Sequence, residues 1–406
     1  MFKNIIKGLK ILTVIFALLI ALIFVVISAF NSPTYAWRIL RYGESDINDY
    51  KIFPERLIAI DSTTSPLPLI AQEIPSIVEY QYAGQTQTEA LDNLLQRTGT
   101  RAFVIVKDDT LIYETYHNSS RDSIDTSFSI AKSFSSALIG AAIADGYIGS
   151  VYDPVIKYIP EIAGRGFDSI TIRDLLMMNS GIQYAEVGDL PFFMAPFADD
   201  TFTYYAPDLR KAALTVRAGD SPIGKAFHYN NYYPLLEGLI IERVTGLHVA
   251  EYLQERFWKP MGAEFSASWS LDSKSSGFEK MESGINARTL DYARFGLIFL
   301  HKGYWNGVQI LPESWVVEST SPLLPDSRTW ETMNEWPNYG GYYKYHWWGL
   351  INADGTYDFY AHGKYDQIIY VAPRKSVVIV RLGDAPDGQP VTVWPLVIRN
   401  LVDQLP

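Results

Sequence analysis

The chain has 406 residues and no cysteine, which excludes disulfides, thiolate catalysis and cysteine-ligated metal. Its net charge of -11 and pI near 5.1 argue against a nucleic-acid partner, which needs a basic face. With 48% hydrophobic and 19% charged residues, the composition is that of a globular protein large enough for one big domain or two smaller ones.

The amino terminus carries Lys3, Lys7 and Lys10, followed by an uncharged stretch from Ile11 to Trp37. Its almost wholly apolar part, Ile11–Phe30, would span roughly 30 Å as a helix, the thickness of a hydrocarbon core. Residues 1–36 are therefore expected to be a membrane anchor. The positive charges lie before the apolar run and leave the bulk of the chain on the extracytoplasmic, periplasmic side. The competing reading is a cleaved signal peptide, which would give a secreted protein; the run is long for that, and small-x-small cleavage sites are weak.

Residues 37–96 read as a lead-in of isolated turns, punctuated by Pro54, Pro66, Pro68 and Pro75. Residues 97–406 are the expected catalytic domain. A hairpin is predicted from Ala102–Val106 to Leu111–Tyr113 around the polar turn Lys107-Asp108-Asp109-Thr110. A helix follows from Ser129 to Asp145, stopped by Gly146. The middle is mostly helical, including Ile172–Met178 and Leu235–Val244. Strands return at Tyr357–Ala361, Gln367–Val371 and Val377–Arg381, and an amphipathic helix closes the chain around Val391–Leu401. Strands at both ends with helices between predict an α/β or α+β layered fold, one sheet built from both ends of the catalytic region and a helical insertion beside it. A cleft between the two is the natural site.

Ser129-Ile130-Ala131-Lys132 carries the chemical argument. Three residues apart on a helix, the hydroxyl and the amine share a face. Serine needs an adjacent base, and lysine serves only when burial or a positive field keeps it neutral. No other lysine in the chain has a serine three positions before it. The bland alternative, a solvated surface Ser and Lys, is opposed by Phe128, Ile130, Ala131 and Phe134, which mark a buried helix start.

Tyr229-Asn230-Asn231 is a second element, although Tyr–x–Asn also occurs at Tyr116 and Tyr304. In extended backbone Tyr229 and Asn231 would point the same way, so that a phenol could shuttle protons and an amide orient it. The third is Ala361-His362-Gly363 at a strand end. Glycine there would allow close backbone approach, and the Lys364 N–H could join that of Ser129 in an oxyanion hole. His228, His248, His301 and His346 show no metal-ligand spacing, and no phosphate or dinucleotide loop is present, so no metal or cofactor is expected.

Taken in order with their flanks, these elements resemble the serine β-lactamase-like, penicillin-recognising superfamily, and within it the class C and 6-aminohexanoate-oligomer hydrolase branch. The resemblance covers nearly everything after Arg101. It rests on Phe128-Ser129-Ile130-Ala131-Lys132-Ser133-Phe134, Tyr152-Asp153-Pro154-Val155 through Pro160, Thr171–Leu176 to Ser180-Gly181, Tyr229-Asn230-Asn231, and Trp347-Trp348-Gly349 with the last strands. It implies an antiparallel sheet flanked by helices and acylation of Ser129. Lys132 and Tyr229 would exchange the proton, and water would release the acyl group. Relatives acting on β-lactams or D-Ala-D-Ala peptides place Lys-Thr-Gly on the third strand; here Ala361 stands where that lysine would be. The departure favours a small ester or amide over a cell-wall D,D-peptidase or β-lactamase. A non-catalytic penicillin-binding-like sensor is the third reading, opposed by the intact Ser129, Lys132 and Tyr229.

Overall fold

The computed structural model describes residues 2–384 and 393–406. Helix α1 (Phe2–Phe30) is the one helix among the described residues long and apolar enough to cross a membrane. After Asn31 and Ser32 the chain turns into α2 (Pro33–Tyr42). Proline sits in its first turn, where no amide donor is needed, and the Ser32 hydroxyl accepts the Tyr35 N–H at 3.1 Å.

The catalytic region is organised on a seven-stranded sheet. Its strands are β1 (Thr100–Lys107), β2 (Thr110–Tyr116), β3 (Gly341–Lys344), β4 (Trp347–Ile351), β5 (Tyr357–Gly363), β6 (Gln367–Ala372) and β7 (Val377–Gly383). The order is β3-β4-β5-β6-β7-β1-β2 and every pairing is antiparallel. The amino-terminal hairpin thus completes a sheet begun by carboxyl-terminal strands, as expected. Its turn works because Asp108 and Asp109 both take positive φ, 47° and 61°, the twist that a two-residue hairpin needs and aspartate tolerates.

Helices cover both faces. On one lie α3 (Ile130–Ala144) and α7 (Thr289–Leu300), stacked through Phe134 and Phe295 at 3.6 Å. Gly296 of α7 presses so closely on Ile369 and Val378 that a β-carbon would come within 2.9 Å and 2.7 Å of them. On the other face α8 (Val393–Gln404) lays Trp394 over Arg381 and Phe103, which pair across β7 and β1. The predicted start of this helix, Val391, lies outside the described residues. The helical insertion includes α4 (Ile172–Leu176), α5 (Asp199–Tyr205) and α6 (Tyr232–Thr245).

Residues 37–96 hold more structure than isolated turns. Glu55–Ile58 pairs with Ala267–Ser270, Ile77–Tyr82 forms a hairpin with Gln85–Ala90, and Leu91–Arg97 is a helix. Only Val78 and Tyr80 of the first hairpin strand are buried, so the alternation is too short to stand out among Glu79, Gln81 and the surrounding polar residues.

Candidate active site

Ser129 is the residue from which α3 starts. Its own backbone is helical, whereas Phe128 before it is held at φ 43°. For a bulky L residue this conformation costs about 1–2 kcal/mol, a strain that persists only where the surroundings enforce it. Here the buried Phe128 ring packs edge-on against Tyr365, centroids 5.4 Å apart. Opposite Ser129, a β-carbon on Gly363 would come within 2.5 Å of the Ser127 carbonyl oxygen and 3.0 Å of the Ser129 nitrogen. The end of β5 can lie against this turn only as glycine.

The remainder of α3 is bolted down by buried hydrogen bonds. Ser133 donates to the His346 carbonyl at 2.7 Å, and Ser135 to Glu237 of α6 at 2.6 Å. Glu237 also holds His346 Nε2 at 2.8 Å, and Tyr343 meets His346 Nδ1 at 2.9 Å. The helix that starts at Ser129 is thereby fixed to both the helical insertion and the sheet.

One turn along, Lys132 is 1% exposed. Its Nζ donates to Ser129 Oγ at 2.9 Å and to the Glu282 carbonyl at 3.2 Å, and lies 4.8 Å from the centre of the Tyr229 ring. No carboxylate among the described residues forms an ion pair with it. Burial pushes its pKa from 10.5 down to about 7, against the weaker pull of the carboxylates of Glu282, Glu186 and Glu237. At neutral pH a large share of Lys132 is an uncharged amine in contact with the hydroxyl.

Tyr229 completes the cluster from the segment before α6. Its ring lies 5.7 Å from Trp348 and meets Tyr343 edge-on at 6.3 Å, and its N–H donates to Thr332 at 2.9 Å. Burial drives the pKa of its phenol above the usual tyrosine value, against a weaker lowering by the Ser129 side chain. It is a neutral phenol at physiological pH. The other Tyr–x–Asn tyrosines stand apart: Tyr116 bonds Glu114, and Tyr304 is 55% exposed on a surface hairpin.

Asn231 departs from the sequence expectation, and the side chains of His362 and Lys364 have partners of their own. Asn231 is not in extended backbone: it is the helical N-cap of α6, and its amide donates to Thr203 of α5 at 3.1 Å instead of orienting Tyr229. The His362 ring turns to Asp366 at 2.9 Å. The Lys364 ammonium reaches Ser45, 2.9 Å to the hydroxyl and 3.1 Å to the carbonyl. One His/Glu cluster, Glu242, His248 and Glu279, has ligand atoms within 4.8 Å of one another. Arg210 already holds Glu242 at 2.6 Å and Arg56 pairs with Glu279, so the group fits an ion-pair network.

The Beta-lactamase family model matches residues 89–401. The chain belongs to the Beta-lactamase family. This family member is 28% identical over 309 residues to the 6-aminohexanoate-dimer hydrolase of Paenarthrobacter ureafaciens, covering 74% of the chain and 77% of that protein. In fold it is similar to a Bacillus anthracis structure provisionally named as a 6-aminohexanoate-dimer hydrolase, at TM-score 0.73 and 24% identity over 87% of this chain and 92% of that one. It also resembles a D-stereospecific amidohydrolase from a Streptomyces species, at TM-score 0.54 and 21% identity over 71% and 90% of the two chains. It is a serine hydrolase by family.

Two features of this hydrolase had no local sequence signal. Glu186, half-buried, acts electrostatically on both Lys132 and Tyr229 across a long chain separation. Lys280 and Glu282 form a buried ion pair at 3.0 Å beside the Glu282 carbonyl that holds Lys132. Both lie in irregular segments, where no periodicity announces burial.

Proposed function

We propose that Ser129 attacks the carbonyl carbon of a small amide or ester and carries the acyl group, with Lys132 as general base. The observation that carries this reading is the 2.9 Å contact between a buried lysine with no carboxylate partner and the serine hydroxyl. As the Oγ–C bond forms, the Oγ proton passes to neutral Lys132 Nζ. Collapse of the tetrahedral intermediate breaks the bond to the leaving nitrogen or oxygen, which takes a proton relayed through the Tyr229 phenol. Water then hydrolyses the acyl-enzyme with Lys132 again as base. Tyr229 is a relay and not the base, because burial keeps its phenol protonated. The oxyanion would rest on the N–H groups of Ser129 and Lys364, across the gap that Gly363 leaves open.

An amide or ester without a recognition carboxylate is favoured over a cell-wall peptide, since the one lysine near the third motif, Lys364, is spent on Ser45. His362 and Asn231 would act as wall and positioning groups through Asp366 and Thr203. Residues 97–406 form the catalytic domain. The segment 1–36 anchors it through α1 with the domain on the extracytoplasmic side, supported by the span Ile5–Phe30 and the preceding lysines.

Exposure to a fluorophosphonate followed by mass spectrometry of the peptides should place one adduct on Ser129, with none on Ser129→Ala. A folded protein that stays unlabelled, or is labelled elsewhere, would sink the acyl-enzyme reading. An adduct formed with penicillin on the same serine would turn the substrate reading toward the cell wall.

A further inference from the structure

Among the described residues, a set of large apolar side chains stays exposed beside α1 and α2. Phe192 is 93% exposed, Phe193 75% and Met194 37%; on α2, Trp37 is 58% and Leu40 42% exposed. Consecutive exposed apolar side chains such as Phe192 to Met194 mark a binding site, and a Trp on the helix that directly follows a membrane span suits a lipid–water boundary.

Their position relative to α1 says what covers them. The roughly 20 residues from Ile11 to Phe30, which follow Lys7 and Lys10, suffice to cross a hydrocarbon core of about 30 Å. From Phe24 onward the same helix packs on the domain: Ile27 is buried with Tyr35, Ala36, Phe53 and Tyr205. Phe30 meets Phe197 edge-on at 5.6 Å, and the Tyr35 hydroxyl donates to the Pro196 carbonyl at 2.7 Å. Arg38 of α2 donates to the Tyr205 carbonyl at 2.9 Å. Only Asn31 and Ser32 separate α1 from α2, so the domain is clamped to the end of the span with no slack, and the segment ending at Phe197 starts from the exposed Phe192 and Phe193. The nearby acids Asp189, Asp199 and Asp200 are turned back onto the N–H groups of Glu186, Ala185 and Val187 at 3.0 Å, 2.8 Å and 3.3 Å.

The same elements frame the cleft. The loop that ends in Phe192 begins at Glu186, which acts on Lys132 and Tyr229. On the opposite side, the chain leaving α2 reaches Ser45, which receives Lys364 and the Tyr365 hydroxyl next to Gly363. We propose that Phe192, Phe193 and Met194 insert into the face of the bilayer that α1 crosses, so that the Ser129 cleft opens at the lipid surface and takes amphiphilic esters or amides resident there. This rests on the anchor and hydrolase readings above. Insertion of a few bulky side chains to the headgroup–acyl boundary is the depth expected of an interfacial element.

Because the chain has no cysteine, single-cysteine variants can be spin-labelled cleanly in the full chain reconstituted in phosphatidylcholine–phosphatidylglycerol vesicles. Labels at Val14→Cys, Phe193→Cys and Asp354→Cys would be compared for collision with oxygen, which concentrates in lipid, and with a water-soluble nickel chelate. Asp354 lies at the end of β5 remote from Gly363. Labels at 14 and 193 should favour oxygen and the label at 354 the chelate. A label at 193 as chelate-accessible as that at 354, with position 14 in lipid, overturns the insertion and leaves the anchor standing. Position 14 in water overturns the anchor and the insertion together. In the double variant Phe192→Ser, Phe193→Ser, hydrolysis of a vesicle-resident long-chain nitrophenyl ester should fall at least fivefold while a soluble short-chain ester is unaffected; equal effects on both overturn the proposal. A parent enzyme inactive on both esters would instead defeat the hydrolase reading.

Discussion

Two lysines in this molecule are buried to the same degree, about 1% exposed, but in opposite electrostatic company. Lys280 has a carboxylate, Glu282, at 3.0 Å, together with the Tyr204 carbonyl and the faces of Phe53 and Tyr204 at 4.5 Å and 3.9 Å. Lys132 has a serine hydroxyl, a backbone carbonyl and a phenol ring. Burial lowers the pKa of both, but only Lys280 has a direct ion pair to restore its charge. What separates a base from a structural cation is therefore the absence of a carboxylate, not the depth of burial. Such an absence is a cost that a purely structural lysine would not carry.

The largest effect expected from this contrast is that of Lys132→Met. Loss of the base should lower kcat/KM by about 10³-fold or more. The same substitution should stabilise the fold. With its folded pKa near 7 and an unfolded value of 10.5, Lys132 binds fewer protons folded than unfolded between those limits. Its penalty is thus full below about pH 7 and vanishes above the unfolded value, at about 1.4 kcal/mol for each unit of depression. Thermal melts should show the variant more stable than the parent at pH 6, with the gap closing toward pH 10. A variant less stable at pH 6 would mean that Lys132 is held by a charge partner after all.

Lys280→Met should behave in the reverse sense. It strands the Glu282 carboxylate in the interior, which costs on the order of 3–5 kcal/mol. Denaturant unfolding would report this as a lower midpoint at neutral pH. If Lys280→Met proved as stabilising as Lys132→Met, the distinction between the two lysines would collapse. The variant also tests the coupling between them: with Lys280 gone, the Glu282 charge is uncompensated near Lys132, and the acidic limb of the pH–rate profile should move upward.

The lysine contrast also marks where the sequence was legible. Ser129 and Lys132 could be paired from spacing because a helix converts a three-residue interval into contact, and apolar neighbours made that helix a buried one. The hairpin and last strands were equally plain, since their apolar runs end at Asp108-Asp109, Gly363 and Pro373. Lys280 was invisible because its burial comes from Tyr204 and Phe53 in two distant segments, while its spacing of two from Glu282 lies in an irregular stretch that announces no shared face. Asn231 was misplaced for a related reason. Its position two residues after Tyr229 suggests a shared face only in extended backbone, and the start of α6 at Tyr232 puts it in helical backbone instead. Local rules find groups joined by local geometry; groups brought together by tertiary packing leave no spacing to read.

The smallest predicted effect concerns the field around Lys132. Its pKa near 7 should appear as the ascending limb of kcat/KM against pH, since the amine must be neutral to accept the serine proton. Glu186 is the one carboxylate that acts on both Lys132 and Tyr229, and it favours the ammonium form of the lysine. Glu186→Gln should therefore shift that limb to lower pH, by less than about one unit because the interaction is made at a distance without an ion pair. The shift should shrink further in acid, for burial and Asp200 raise the pKa of Glu186 itself, and its charge fades as it takes up a proton. A limb that stays in place in Glu186→Gln, yet moves upward in Lys280→Met, would assign the tuning of Lys132 to the Lys280–Glu282 pair. A downward shift in Glu186→Gln would show that the base is also tuned from the loop at the cleft mouth, so that a substrate seated against Glu186 alters the protonation of the lysine that activates the nucleophile.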